Sequence, residues 1–299
     1  MASTIVYLDE SPLSAERYNS LPHIDDNKDV ATMHESGRNK LLGLISSHKL
    51  EGVFSVHLVH KHFDLPENRV MVYEMIKGSA GNPDFQISCP RDPSTCENLH
   101  GVYFTAATGG RMVAYEYTTD PLVDISSHND FFRQFSNLVM ELGLQNVYAL
   151  TLKYLKGPSL MHEFEMPDLG STVLVPDSSW IPGAEGSVST DWGFSTATGD
   201  FSDAAVRSRC TVTRSNKHYE ITKYEPDDSE AGDGLGGGIV SLTRCTETRS
   251  GKHHERPKRH AEGADGAKSD RLMINGELLL PGSTVFGIVT HARQLISAF

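Results

Sequence analysis

The chain has 299 residues, 38% of them hydrophobic and 22% charged, a make-up that excludes collagenous, coiled-coil and wholly disordered chains and is long enough to bury a real core. Its 27 basic residues against 39 acidic ones leave a net charge of -12, which argues against a uniform nucleic-acid-binding surface. No run of about 18 apolar residues occurs, so no membrane-spanning helix is expected.

In chain order, the first expected element is a helix over 37–48, GRNKLLGLISSH, on the strength of Leu41, Leu42, Leu44 and Ile45. Residues 51–76 carry two arms rich in Val and aromatics around Pro66, Glu67 and Asn68, which reads as a β-hairpin. A second hairpin is expected over 101–119, where Gly109 and Gly110 supply the positive φ of a tight turn. The clearest helix covers 127–143: Phe131, Phe132, Phe135, Leu138, Val139 and Leu142 recur at helical spacing, Ser127 or Asn129 is positioned to cap, and Gly143 ends it.

A strand follows over 146–155, and later strands are read at 171–175, 209–214, 218–224, 238–244, 271–274 and 277–280, with a terminal helix over 288–299. Residues 225–237 and 247–270 contain almost no large apolar side chain and read as mobile loops of a single domain, 1–299. Hairpins outnumber helices and no βαβ alternation occurs. The expected class is therefore α+β, a mainly antiparallel sheet forming a sandwich or open barrel with one or two packed helices.

The densest chemistry lies in His57-Leu-Val-His60-Lys-His62-Phe-Asp64-Leu-Pro-Glu67. On a strand of period two, His60 and His62 share one face and His57 takes the other. Two imidazoles so placed can converge on a divalent transition metal, with Glu67 as third ligand or catalytic base and a position open to water or substrate. The H-x-H-x4-E spacing resembles the first motif of the cupins, small β-barrels whose triad holds iron, manganese or zinc. The resemblance places His60, His62 and Glu67 at the ligand positions, with Glu74 where that motif carries glycine.

A second cluster, His162-Glu163-Phe164-Glu165, sets two carboxylates on one side of an extended segment. Paired carboxylates can divide acid and base roles if burial splits their pKa values, but exposed strand positions account for them as well. Cys89 and Cys96 read as reduced thiols, Gly232, Gly234 and Gly237 as a loop, and Ser195 as a loop serine. Trp180 and Trp192 are expected in loops, tethering them to the core.

The opening residues lack the basic start and apolar run of a secretory leader, so the expectation is a cytoplasmic protein, with the basic run 249–260 admitting nuclear import. Two functions from different classes follow. The first is an intracellular domain that binds a small molecule or protein partner without a complete catalytic signature. The alternative is a metal-dependent enzyme acting on a small molecule through His60, His62 and Glu67.

Overall fold

The computed structural model describes residues 7–78, 83–122, 124–153, 161–166, 169–176, 188–194, 204–210, 273–274, 277–278 and 284–296. All of them belong to one compact unit drawn from Met1–Thr213 and Leu272–Phe299. The polar stretches 225–237 and 247–270, the strands expected at 218–224 and 238–244, Trp180 and Ser195 lie outside the described residues.

The elements are β1 (Leu8–Asp9), α1 (Ala15–Asn19), α2 (Val30–Met33), α3 (Glu35–Ser47), β2 (Phe54–Leu58), β3 (Val70–Ile76), β4 (Phe85–Arg91), β5 (His100–Ala107), β6 (Arg111–Thr118), α4 (Asn129–Glu141), β7 (Tyr148–Leu152), β8 (Met161–Met166), β9 (Ser171–Pro176), β10 (Val188–Phe194), β11 (Ala204–Cys210), β12 (Met273–Ile274), β13 (Glu277–Leu278) and α5 (Thr284–Ile296). The fold is α+β, dominated by one curled sheet. Its strands run β6-β3-β4-β9-β8-β11-β10-β2-β7-β5, and β5 pairs back onto β6, so the ten close into a ring with β1 beside β6. Most neighbours are antiparallel; β1–β6, β3–β6 and β8–β11 are parallel.

Closure gives every strand an outer and an inner face. On β2, Phe54, Val56 and Leu58 belong to the large core cluster under α3 and α4, together with Tyr148, Leu150 and Leu152 of β7 and Val70 and Val72 of β3. Across the ring, Phe85, Ile87 and Cys89 of β4, Phe164 of β8 and Val173 and Val175 of β9 pack on α5. The alternate residues turn inward, where Met71, Tyr73, Tyr103, Tyr115, Ala149, Met161 and Leu174 form one cluster. The cluster joins strands that are not hydrogen-bonded neighbours, such as β7 (Ala149) and β8 (Met161), as the inside of a closed sheet allows.

Helix α4 follows its sequence pattern. Phe131, Phe132, Phe135 and Val139 are buried, and the helix ends in a Schellman arrangement in which Leu144 N donates to Val139 O at 2.9 Å around Gly143 at φ 68. Its start differs from expectation: a short 3-10 turn over Ser126–His128 leads in, and the residue preceding the helix, His128, makes no side-chain cap. The hairpin of β5 and β6 forms as the sequence predicts, with Gly109 at φ 78 and Gly110 at φ 74. Gly101 is required for close approach, because a Cβ there would lie 2.6 Å from the Phe104 ring and 2.7 Å from Ala114 Cβ.

The hairpin expected over 51–76 does not form. Strand β2 pairs with β7 and β10, and β3 pairs with β4 and β6. The link between them is no tight turn: Lys61 N donates to Pro22 O and Ile24 N to Lys61 O, so its backbone is satisfied by residues 22–24 instead of by a partner arm. Strands β4 and β10 lie where no strand was expected. In β10, Trp192 is buried beneath the Arg38 guanidinium, 4.7 Å from the ring centroid, and belongs to the core and not to a loop. Among the described residues, no helix is long and apolar enough to cross a membrane.

Candidate metal centre

Residues 59–65 leave the end of β2 and are fixed from outside. Asn27 Nδ2 donates to Val59 O at 3.0 Å, Asn19 and Leu65 exchange two hydrogen bonds at 2.7 and 3.0 Å, and His23 Nε2–H donates to His62 O at 2.7 Å. Lys61 is held by the Asn19 carbonyl and by Asp64. Held in this way, His60 and His62 are both buried, and their rings meet edge-on with centroids 4.9 Å apart.

Their third companion comes from β8. Ligand-capable atoms of His60, His62 and Glu163 all lie within 4.8 Å of one another, the one such grouping of three among the described residues. Each is oriented by a second contact. His60 Nδ1 lies 2.7 Å from the Leu58 carbonyl, which can only accept, so the proton sits on Nδ1 and Nε2 carries the lone pair of the neutral ring. His62 Nδ1 lies 3.0 Å from Glu165 Oε1, while its Nε2 is 3.4 Å from Glu163 Oε2. On Glu163, Oε1 accepts from Thr172 Oγ1 at 2.6 Å, Thr172 in turn bonds Ser88 at 2.7 Å, and the Tyr73 hydroxyl stands 3.4 Å away. Carboxylate- and carbonyl-held imidazoles of this kind are the ordinary second shell of a metal site.

Protonation states agree with that geometry. Burial, and then the neighbouring His62 and His57, push His60 well below the usual imidazole range, so it enters as a neutral ligand. Burial alone would raise Glu163, but His62, His60 and the Thr172 hydrogen bond outweigh it and hold the carboxyl below its ordinary range. Nearby, Glu116 of β6 accepts from the Tyr18 hydroxyl at 3.0 Å. Burial and then the Glu163 charge push it up to about 8, so it keeps its proton at neutral pH beside an ionised Glu163. Register shifts in the β5–β6 pairing around Tyr103 interrupt the alternation just where Glu116 stands.

The sequence-predicted residues therefore divide. His60 and His62 come together, whereas Glu67 is exposed on the turn that contains Asn68 at φ 58 and lies outside the cluster. His57 does not stand apart: its ring stacks on His60 with centroids 5.1 Å apart. Regular strand ends at Leu58, so the period-two parity does not carry through to His60. Glu163 and Glu165 were legible as a pair on one side of an extended segment, but they are not on an exposed face. Glu163 is 3% exposed, because β8 turns that side into the ring. Matching them to His62 needed the strand order, in which β8 and β2 are separated by β11 and β10. Comparison of the chain with family models, curated proteins and solved structures finds no match.

Proposed function

We propose that this protein is a metal-dependent enzyme acting on a small molecule, with His60, His62 and Glu163 as ligands to one divalent transition metal. The observation that carries this reading is the convergence of three buried ligand atoms within 4.8 Å, one from each residue. Three protein ligands leave positions open to water and substrate, the pattern of catalytic and not structural sites. Such an ion supplies Lewis acidity and lowers the pKa of bound water. The residues of the chain do the rest: Glu165 and Leu58 fix the imidazole tautomers, Thr172 and Tyr73 aim Glu163, and Glu116 holds a proton nearby. The mixed N/O donor set suits zinc, iron or manganese.

The other reading is a non-catalytic domain that binds a small molecule or protein partner and needs no metal. Cobalt(II) titration of the metal-free full chain tests the centre. One equivalent should bind with visible absorption bands of a low-coordinate N/O site, and His60→Ala should abolish them. Absence of saturable bands in the wild type would contradict the proposal.

A further inference from the structure

Beside the metal cluster, the inner face carries a row of polar side chains that the ligands do not use. Four neighbouring strands contribute: Asp191 from β10, Ser55 and His57 from β2, Thr151 from β7 and Tyr103 from β5. Their backbone partners are Asp191 with His57, Ser55 with Thr151 and Tyr103 with Thr151. Ser55 Oγ donates to Asp191 Oδ2 at 3.2 Å, and His57 Nδ1 stands 3.7 Å from the same oxygen. Asp191 Oδ1, His57 Nδ1 and Thr151 Oγ1 have no hydrogen-bond partner. All three residues are more than nine-tenths buried: His57 is 3%, Asp191 6% and Thr151 7% exposed. Each such atom in a native interior calls for an explanation, and three in one row point to a group from outside the chain.

The row's chemistry selects that group. Asp191 Oδ1 can only accept as a carboxylate, and His57 and Thr151 can each accept. The buried residues described include the acids Glu116, Glu163 and Asp191 and no lysine or arginine. Among the described residues the row itself holds a carboxylate and no cationic side chain, so an ammonium group would find a countercharge in Asp191 and the Tyr103 ring that borders His57 at 4.3 Å. The His57–His60 stack sets the row against the metal ligands.

We infer that Asp191, His57 and Thr151 form a subsite for a small amine-bearing molecule, seating its ammonium group next to the metal centre. The inference rests on the metal reading for the ion beside it, while the unpartnered atoms stand independently of that ion. The test is a titration of zinc-loaded and zinc-free full chain with ethanolamine, glycerol and glycerol phosphate, followed by the histidine ring signals in 15N NMR, with His57 assigned through His57→Gln.

Ethanolamine should shift the His57 signals saturably, at least tenfold more tightly than glycerol, and in the zinc-free chain glycerol phosphate should leave them unmoved. Asp191→Asn should weaken ethanolamine tenfold or more, and Thr151→Val, a near-isostere, should weaken it severalfold; circular dichroism checks that both variants are folded. No saturable shift, equal response to the phosphate in the zinc-free chain, or undiminished binding in folded Asp191→Asn would overturn the subsite. Zinc retained without ethanolamine binding defeats the subsite alone, and Asp191-dependent ethanolamine binding in a chain that takes up no zinc defeats the metal reading alone.

Discussion

The two faces of a single strand, β2, behave as different materials. Phe54, Val56 and Leu58 lie in a continuous apolar layer beneath α3 and α4, while Ser55 and His57, one residue away, join a buried lining that also holds Gln86, Ser88, Glu116, Thr151, Glu163, Thr172 and Asp191. The outer face holds the fold together by removing apolar area from water. The inner face buries polar groups at a cost and compensates for it only as far as those groups find partners. That is why the candidate chemistry concentrates there: a buried carboxylate with oriented neighbours is suited to hold a cation.

The comparison can be broken first on the outer side. Phe132 is fully buried on α4 and its ring packs against Phe54 with centroids 5.7 Å apart. Phe132→Ala should cost about 3–5 kcal/mol in urea unfolding, while whatever fraction remains folded binds metal as the wild type does. Loss of metal affinity at retained stability would mean that the two faces are not separable.

On the inner side, Glu116 gives the next largest effect, read on metal-free protein. Its pKa rises from an ordinary 4.5 to about 8 in the folded state, so the unfolded chain releases that proton first. This group's contribution is intact below pH 4.5 and is lost progressively as pH climbs towards 8. His60 acts from the other side: its folded pKa is lowered, so the unfolded chain gains a proton as pH falls through about 6.5 and stability declines there. Glu116→Gln keeps an acceptor for Tyr18 and should remove the alkaline decline, gaining on the order of 3 kcal/mol at pH 8 relative to pH 5. An unchanged pH profile would show that Glu116 is not the buried acid described.

The smallest effect belongs to the outer rim. Arg38 lies over Trp192 and pairs with Glu35 at 2.8 Å. Arg38→Ala should cost about 1 kcal/mol in thermal unfolding, in keeping with a partly exposed cation over an indole. A loss as large as that of Phe132→Ala would place this contact in the load of the core.

These contrasts also explain what was legible in the sequence. Helix α4, the Gly109-Gly110 hairpin and β7 were legible because their signals are local: a 3.6-residue stripe, two positive-φ glycines, an apolar run. The pairing of β2 was not, since nothing near Phe54 says that its neighbours are β7 and β10. Alternation of the β8 type, with Phe164 on one side and Glu163 and Glu165 on the other, distinguishes two faces but not water from a ring interior. So the carboxylates were visible as a pair and assigned to the wrong surroundings. His60 and His62 were found because they sit on one short segment, and their third companion was sought on that segment, at Glu67. In the structure the carboxylate grouped with both is Glu163, 101 residues downstream of His62.

That displacement gives the most direct test of the account. Zinc affinity should be measured by equilibrium dialysis on wild type, Glu163→Gln and Glu67→Gln at pH 7.5, with elemental analysis of the retained metal. The account predicts one equivalent bound by the wild type, a loss of affinity of a hundredfold or more in Glu163→Gln, and no change in Glu67→Gln. Wild-type affinity in folded Glu163→Gln, or a loss confined to Glu67→Gln, would contradict it.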